Sequence, residues 1–339
     1  MRKLKVVTVV GTRPEIIRLS RLIPLLDQET EHTFVHTGQN NDPNLKDVFF
    51  RDFALREPDY FLGVQNTSPM TAMAQTLTGI ERVLNQDEFD AMVVLGDTNS
   101  AIAALAARRM GVTTYHLEAG NRSFDANVPE EINRKMIDHI STFNLPYSEA
   151  ARQNLLREGV HPRFICLSGS PVLEVAAYYS PQVANSEILT SLGLTAGSYF
   201  VVSAHRQENV DEPHRLLTLV DSINKLTESF DASVVFPTHP RTKSRLQSLN
   251  VSFNDAVIQT DPLGYFDFLA LQKEARFVLS DSGTISEESS ILGFPAATIR
   301  DSMERPEALE VGTISMTGLE FDGMSRAIQR HERYPRKVT

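Results

Sequence analysis

The chain has 339 residues, 41% of them hydrophobic, which predicts one large or two medium domains with buried hydrophobic cores. Its net charge of −10 at pH 7 argues against a nucleic-acid-binding protein that relies on phosphate contacts, and its single cysteine, Cys166, excludes an internal disulfide and a cysteine cluster for zinc. No apolar stretch approaches the roughly 18 residues of a membrane-spanning helix, and the apolar run after Lys3 is too short for a signal peptide, so we expect a cytoplasmic protein that does not bind membranes.

Val-rich apolar segments alternate in the first half of the chain with segments that carry apolar residues at helical spacing. The predicted strands are 4–10, 32–37, 90–95, 113–118, 143–147 and 164–167. The predicted helices are 15–27, 43–53, 70–86, 99–110, 129–139 and 149–157. This alternation indicates a parallel sheet with helices on both faces.

The same alternation begins again after residue 198. The predicted strands are 199–204, 233–237, 256–259, 276–280 and 296–299, and the predicted helices are 212–229, 240–248, 264–273 and 284–292. Because the segment 168–198 contains Gly, Ser and Pro but no long strand, we predict two α/β domains, residues 1–170 and 171–339. Ligands bind beyond the carboxyl ends of the strands in open parallel sheets, so two such domains facing each other would form a cleft.

The segment GTRPE, residues 11–15, joins the first predicted strand to the first helix. Pro14 suits the first helical position, and Thr12 suits the N-cap. Arg13 cannot accept hydrogen bonds from the free N–H groups, and the positive end of the helix repels its charge. An anion bound at this turn would satisfy both Arg13 and the helix.

Polar residues follow the other predicted strands as well, and each has a structural alternative. Asp97 could cap a turn, and Arg305 could form a surface salt bridge. Glu130 and Glu131 would favour the start of a helix and could pair with basic residues four positions later. A lone histidine is more often packed or solvated than catalytic. Since so many such residues follow strands, we interpret them as one site: Arg13, Asp97, Glu118, His205, Ser282 and Arg305.

The segment DSGTISEES, residues 281–289, resembles a phosphate site. Ser282, Gly283 and Thr284 lie where a helix begins, so their N–H groups can point at an anion. Glu288, about one turn later, could accept hydrogen bonds from ribose hydroxyls. The chain has neither a GxxxxGK[ST] motif nor GxGxxG after its first strand, so a P-loop and NAD binding are not indicated.

Seven motifs in order resemble the non-hydrolysing UDP-N-acetylglucosamine 2-epimerase family: GTRPEIIR, HTGQN, GDTNS, EAGNRSFDANVPEEINR, HRQEN, DSGTISEE and ERPEALEVGT. The resemblance runs from residue 4 to about residue 318. It implies two Rossmann-like domains around a cleft, as in GT-B glycosyltransferases, and an isomerase that inverts C2 of a UDP-linked 2-acetamido sugar. The implied route eliminates UDP to give a 2-acetamidoglycal and then adds UDP back, without NAD or a metal.

The resemblance also implies roles for individual residues. Acid–base or leaving-group catalysis falls to Asp97, Glu118, Glu130 and His205. Substrate or UDP binding falls to Arg13, Arg18, Arg134, His239, Phe268, Ser282, Gly283, Glu288 and Arg305. Within this set the diphosphate falls to Arg13, Ser282 and Gly283, the diphosphate or the sugar to Arg305, and the ribose to Glu288. The ring of Phe268 is expected to stack beside the uracil.

Several positions depart from the pattern of the UDP-GlcNAc enzymes. Arg18 stands where they have Lys, and GNR at 120–122 replaces GLR. Residues 64–70 lack the Gln-rich loop linked to activation by substrate, so we do not expect that activation. The motifs favour the branch that acts on modified sugars, such as UDP-N-acetyl-L-fucosamine precursors or UDP-2,3-diacetamido-glucuronate. The family habit is a homodimer, and family members continue past residue 339 into a helix that returns to the first domain, so we expect looser domain closure.

Three alternatives stay open at this point. A GT-B glycosyltransferase would also bind a UDP-sugar, but it needs fewer carboxylates than Asp97, Glu118 and Glu130 provide. A catalytically weak UDP-sugar-binding protein would bind UDP without turnover. A hydrolysing variant would release free sugar and UDP.

Overall fold

A computed structural model describes residues 2–39, 49–65, 67–125, 128–303, 305, 307–310 and 312–335, without the side chains of residues 240 and 241. The chain divides into two compact units, Met1–Val175 and Ala176–Thr339, called here the N-terminal unit and the C-terminal unit. This division falls close to the predicted boundary between residues 170 and 171. The assignment of the sugar acid–base residues to the first domain and of UDP binding to the second stays a prediction.

The N-terminal unit is built around one parallel six-stranded sheet in the order β3-β2-β1-β4-β5-β6. Its strands are β1 (Lys5–Val10), β2 (Glu31–His36), β3 (Tyr60–Phe61), β4 (Ala91–Leu95), β5 (Thr113–Leu117) and β6 (Phe143–Leu145). Its helices are α1 (Arg13–Leu19), α2 (Leu22–Glu29), α3 (Pro69–Leu84), α4 (Ala103–Arg109), α5 (Pro129–Ile140) and α6 (Glu149–Arg157), followed by a 3₁₀ turn (Pro162–Phe164). Helix α7 (Pro171–Tyr178) leads into the C-terminal unit.

The C-terminal unit contains a second parallel six-stranded sheet, in the order β12-β11-β10-β7-β8-β9. Its strands are β7 (Tyr199–Ser203), β8 (Ser233–Pro237), β9 (Val257–Thr260), β10 (Phe277–Ser280), β11 (Ala296–Thr298) and β12 (Ser315–Met316). Its helices are α8 (Ser180–Ala184), α9 (Ile188–Ser191), α10 (Gln207–Val210), α11 (Pro213–Phe230), α12 (Pro240–Ser248), α13 (Tyr265–Glu274), α14 (Ile285–Leu292), α15 (Glu307–Glu310) and α16 (Phe321–Arg333).

Both sheets have the strand order of a Rossmann fold. Numbered from its own first strand, each sheet runs 3-2-1-4-5-6, so the connections reverse direction between the first and fourth strands. This confirms the predicted α/β class with two Rossmann-like units. The reversal lies between β1 and β4 in one unit and between β7 and β10 in the other, and ligand sites in such sheets lie beyond the strand ends at that point. The cleft between the domains stays a prediction.

The central strands β1, β4, β7 and β10 are buried over most of their length because helices cover both faces of each sheet. In the N-terminal unit Val7 and Val9 pack in a cluster with Ile80 and Val83 of α3. In the C-terminal unit Phe200 and Phe236 belong to a cluster that also includes Met324 and Ile328 of α16, residues for which no helix was predicted. These cores hold the strand ends in fixed positions.

The helix predicted over 15–27 is two helices, α1 and α2, separated at Ser20 and Arg21. Pro24 explains the break, since it has no N–H for the carbonyl of Ser20 four residues earlier and its ring would clash with that carbonyl. Part of the predicted helix 43–53 lies outside the described residues, and residues 49–52 are helical.

Two other predictions are wrong, one for a strand and one for the start of a helix. Residues 164–167 form no strand, only an isolated bridge between Asn144 and Ile165 that follows the 3₁₀ turn. The helix expected from residue 99 begins at Ala103, because residues 99–102 form tight turns with hydrogen bonds such as Ala101 N–H to Thr98 O. None of the described helices is long and apolar enough to cross a membrane.

Candidate active site

The turn between β1 and α1 is closed by the carboxylate of Glu15. Its Oε2 accepts the backbone N–H groups of Gly11 at 2.5 Å and Thr12 at 3.0 Å, and its Oε1 accepts the hydroxyl of Thr98, which follows β4. Thr12 occupies the N-cap in extended backbone, as predicted. Glu15 thus already fills part of the place where an anion was expected, and the prediction had assigned it no role.

Glu15 is buried, with 2% of its surface exposed. Burial raises its pKa to about 7, against the opposing effect of the hydrogen bonds from Thr98, Gly11 and Thr12, and the nearby charge of Asp97 adds to the rise. Gly11 cannot carry a side chain here, because a Cβ would lie 1.9 Å from the hydroxyl of Ser100. The turn is therefore packed tightly against the β4 side of the sheet.

Arg13 is partly exposed at the start of α1, and its guanidinium lies 5.8 Å from the centroid of the Phe49 ring. A guanidinium at that distance from an aromatic face is stabilised by the ring quadrupole. This contact fixes one side of Arg13 within the N-terminal unit.

Asp97, just past the end of β4, is held by Arg134 of α5. Both Nε and Nη2 of Arg134 donate to Asp97 Oδ2, at 3.0 and 2.5 Å, while Nη1 donates to Glu131 Oε2 at 2.9 Å. Asn133 donates to the backbone carbonyl of Asp97. Two separately predicted site residues, Asp97 and Arg134, are therefore brought together although they are distant in sequence.

Glu118 follows β5 and pairs with Arg18 of α1. Arg18 Nη1 donates to Glu118 Oε2 at 2.6 Å, and both side chains are largely buried. Glu118 has φ of 67°, a left-handed conformation that is costly for a residue with a long side chain and is typical of functional sites. Asn121 donates to its other oxygen at 3.2 Å. Arg18, the departure from the family's Lys, is thus in direct contact with a predicted acid–base residue.

Glu130 and Glu131 open α5 and differ in their surroundings. Glu131 is buried and accepts from Ser123 and Arg134, so the structural interpretation fits it. Glu130 is only partly buried in the first turn of the same helix. The expected pairing of Glu130 with Arg134 is replaced by pairs of Arg134 with Asp97 and Glu131.

In the C-terminal unit the segment after β7 wraps around a buried carboxylate, Asp281, at the end of β10. Asp281 accepts the backbone N–H groups of His205 and Arg206 and the side-chain amide of Asn209. Its Oδ1 also lies 3.1 Å from Nδ1 of His205, whose side chain is about half exposed. Asp281 was noted in the sequence only as part of DSG, yet it orients His205.

The turn before α14 is organised by hydroxyl groups. Ser282 Oγ lies 2.9 Å from Thr284 Oγ1, and Thr284 Oγ1 donates to Glu288 Oε1 at 2.7 Å. The N–H of Thr284 reaches Ser282 Oγ at 3.3 Å. Ser282, Gly283 and Glu288 are all partly exposed, so the predicted phosphate and ribose residues lie together at one strand end.

The remaining predicted binding residues occupy separate places in the C-terminal unit. Arg305 is buried and donates to Glu287 of α14, so its ion pair is internal rather than on the surface. Phe268, on α13, and His239, between β8 and α12, are partly exposed.

The chain is similar to known proteins over most of its length. The family model of UDP-N-acetylglucosamine 2-epimerase matches residues 25–338. The chain belongs to the UDP-N-acetylglucosamine 2-epimerase family. The resemblance found in the sequence is thereby confirmed, as is the predicted enzyme class, an isomerase that acts on carbohydrates.

Individual members of the family are similar over nearly their whole length. The chain is 37% identical over 336 residues to the UDP-N-acetylglucosamine 2-epimerase of Methanocaldococcus jannaschii, covering 96% of this chain and 92% of that one. A crystal structure of the M. jannaschii UDP-GlcNAc 2-epimerase in complex with UDP-GlcNAc and UDP matches at TM-score 0.89 and 36% identity, over 96% of this chain and 92% of that chain.

A relative with a different substrate in its name is almost as similar. The chain is 34% identical over 324 residues to the UDP-2,3-diacetamido-2,3-dideoxy-D-glucuronate 2-epimerase of Pseudomonas aeruginosa, covering 94% of this chain and 90% of that protein. Identity alone therefore does not separate the two substrates.

Proposed function

We propose that this protein is a non-hydrolysing 2-epimerase of a UDP-N-acetyl sugar that works by elimination and re-addition of UDP. Family membership and the two carboxylate–arginine pairs at neighbouring strand ends support the proposal. The observation that carries it is the second of these: Asp97 and Glu118 follow the adjacent strands β4 and β5, each hydrogen-bonded to an arginine from a helix.

The chemistry explains why such a site needs two acid–base groups. The C2 proton of a sugar nucleotide is not next to a carbonyl, so its simple removal is unfavourable. If UDP leaves from C1 as the proton leaves C2, the product is a 2-acetamidoglycal and UDP. Return of a proton to the opposite face of C2, with UDP adding back to C1, gives the epimer.

The N-terminal unit would supply the acid–base groups. Asp97, Glu118 and Glu130 are the candidates, and positioned acids and bases contribute roughly 10²- to 10⁴-fold to rates. The contacts of Arg134 and Arg18 would hold the first two carboxylates in orientation.

The C-terminal unit would bind UDP and retain it during the reaction. The turn Ser282–Gly283–Thr284 would hold phosphate, Glu288 the ribose and Phe268 the uracil, with His205 near the leaving diphosphate. A preorganised group of this kind lowers the barrier by stabilising developing negative charge. Arg13 and Arg305 would add positive charge, and His239 a further polar contact.

The substrate would be a UDP-linked 2-acetamido sugar. The motifs EAGNRSFD and VPEEINR favour a modified sugar over plain UDP-GlcNAc. A homodimer without a metal or redox cofactor is part of the same proposal.

Proton NMR in D₂O with UDP-GlcNAc, then with 6-deoxy and uronic 2-acetamido UDP-sugars, tests the proposal. We expect a C2 epimer with deuterium at C2, and the best substrate identifies the branch. Binding of UDP without exchange for any candidate would contradict it and favour a transferase or a binding protein. Accumulation of free sugar and UDP would indicate hydrolysis instead.

A further inference from the structure

A buried histidine, His116, links the two strand ends that carry Asp97 and Glu118. It lies near the end of β5 with 1% of its surface exposed. Its Nε2 lies 2.8 Å from the backbone carbonyl oxygen of Gly96, and its Nδ1 lies 2.9 Å from Oδ1 of Asp138 on α5.

Nε2 of His116 is therefore within hydrogen-bond geometry of a carbonyl oxygen, whereas Nδ1 lies at ion-pair distance from a carboxylate without forming a hydrogen bond to it. A neutral ring that donates from Nε2 to Gly96 would leave the lone pair of Nδ1 beside the Asp138 carboxylate 2.9 Å away, whereas an imidazolium forms an ion pair with that carboxylate. Burial opposes the charged ring, but the contacts with Asp138 and Gly96 outweigh it and raise the pKa of His116 above its ordinary 6.5.

A protonated His116 balances the charges of its nearest ionised neighbours. Asp138 Oδ2 lies 2.8 Å from Nη1 of Arg122, and Arg122 Nη2 lies 2.5 Å from Glu158 Oε2. His116 and Arg122 then offset Asp138 and Glu158. Glu118 adds a further favourable negative charge, and the half-exposed His139 lies 3.4 Å from Glu158 at the outer end of the cluster.

His116 and Asp138 each contact the backbone next to a predicted acid–base residue. Gly96, directly before Asp97, has φ of 71°, and a Cβ there would lie 3.7 Å from Glu118 Oε2. Asp138 also accepts the N–H of Gly120, two residues past Glu118, at 3.2 Å to both of its oxygens. His116 and Asp138 therefore restrain the backbone on both sides of Glu118 as well as the turn before Asp97.

We propose that His116 is a positioning residue, a permanently protonated imidazolium whose hydrogen bond to Gly96 and ion pair with Asp138 fix the β4 and β5 ends so that Asp97 and Glu118 meet the sugar in the required orientation. It does not touch substrate. The catalytic part of this inference rests on the proposed function, but the charge state does not.

The charge state can be measured on the intact wild-type protein. ¹⁵N NMR of protein labelled at histidine should show one-bond N–H couplings at both ring nitrogens of His116, persisting well above pH 6.5. Loss of the signal in His116→Gln assigns it. A proton on only one ring nitrogen at pH 7 would overturn the proposal, whether or not the protein is an epimerase.

His32 provides an internal control in the same spectrum. Its Nδ1 also meets a carboxylate, Asp27, at 2.6 Å, but its Nε2 faces the hydroxyl of Thr8, which can donate. Burial lowers the pKa of His32. We expect His32 to be neutral under conditions where His116 carries both protons.

The positioning role is tested by turnover and substrate affinity. His116→Gln should lower kcat by roughly 10- to 100-fold with KM and the Kd for UDP changed less than about threefold, because binding groups stay in place. Asp138→Asn should remove one ring proton of His116 at neutral pH and lower kcat similarly, while His32→Gln should keep wild-type kcat. Wild-type kcat in a folded His116→Gln protein would overturn the positioning role.

Discussion

Each of the two units holds the segment after its first strand with a buried carboxylate. The carboxylate lies at the same point of the sheet topology in both units but comes from a different residue. Where the connections reverse, between β1 and β4 in one unit and between β7 and β10 in the other, a buried carboxylate accepts two consecutive N–H groups from the segment after the first strand. In the N-terminal unit it is Glu15, which binds Gly11 and Thr12. In the C-terminal unit it is Asp281, which binds His205 and Arg206.

The difference lies in where each carboxylate comes from and what else it contacts. Glu15 follows the first strand and reaches the hydroxyl of Thr98 after the fourth; Asp281 follows the fourth strand and reaches the imidazole of His205 after the first. A hydroxyl carries no charge and can donate or accept, whereas a carboxylate 3.1 Å from Nδ1 of an imidazole favours the tautomer with the proton on that nitrogen. The arrangement around Glu15 fixes a turn. The arrangement around Asp281 fixes a turn and also favours one tautomer of the His205 ring.

The largest effect is expected from Asp97→Asn in the N-terminal unit. It should leave UDP binding nearly unchanged and lower turnover by a factor on the order of 10² or more, since an amide cannot exchange the proton at C2. Steady-state kinetics and calorimetric titration with UDP measure both. Asp87→Asn, which removes an exposed partner of Lys5, is the control. Wild-type turnover in Asp97→Asn would rule out its acid–base role.

Glu15→Gln tests the charge state of the buried carboxylate in the N-terminal unit. Gln can still accept from Gly11 and Thr12, and its NH₂ group can donate to the hydroxyl of Thr98. Because the folded pKa of Glu15 is raised to about 7 from 4.5, its contribution to stability is present below pH 4.5 and is lost as pH rises through 7. The wild type should therefore lose about 3 kcal/mol relative to Glu15→Gln between pH 4 and 8.

Urea unfolding of both proteins across that pH range measures the difference. Glu29→Gln, at an exposed position, should follow the wild type. A constant difference between Glu15→Gln and wild type at every pH would show that Glu15 titrates normally.

Asp281→Asn should act through His205 in the C-terminal unit. The new NH₂ group would donate to Nδ1, which moves the ring proton to Nε2, and the loss of charge-assisted hydrogen bonds should cost about 2 kcal/mol of unfolding free energy. We expect turnover to fall roughly tenfold or more, as when a histidine is held in the wrong tautomer.

¹⁵N NMR of the His205 ring and kinetics report the two effects separately. Asp301→Asn, at an exposed partner of Arg215, should change neither. An unchanged His205 tautomer in Asp281→Asn would show that Asp281 does not determine which ring nitrogen of His205 carries the proton.

The smallest effect is expected from Arg13→Ala. Loss of one charged donor should raise the Kd for UDP by roughly tenfold, about 1.4 kcal/mol. Arg82→Ala, at an exposed position in α3, is the matched control. Unchanged UDP affinity would remove the proposed explanation for an arginine at the start of α1.

The alternation of strands and helices was readable from the sequence because apolar runs and helical periodicity are local. Most predicted strands lie within a residue or two of those observed. The two-residue strands β3 and β12 were missed because so short a segment carries no periodic signal. The break between α1 and α2 had a local cause in Pro24, which the helical spacing of the apolar residues concealed.

By itself the sequence determined the α/β class, the repeat of that architecture in two halves, the family and the set of polar residues at the strand ends. Only the tertiary structure decided their partners: Arg134 with Asp97, Arg18 with Glu118, His116 with Gly96 and Asp138. Strand order brings together residues that are far apart in the chain, and burial then decides which of their charges must be paired. The pattern of residue types within a short window of sequence shows neither the spatial neighbours of a residue nor its burial.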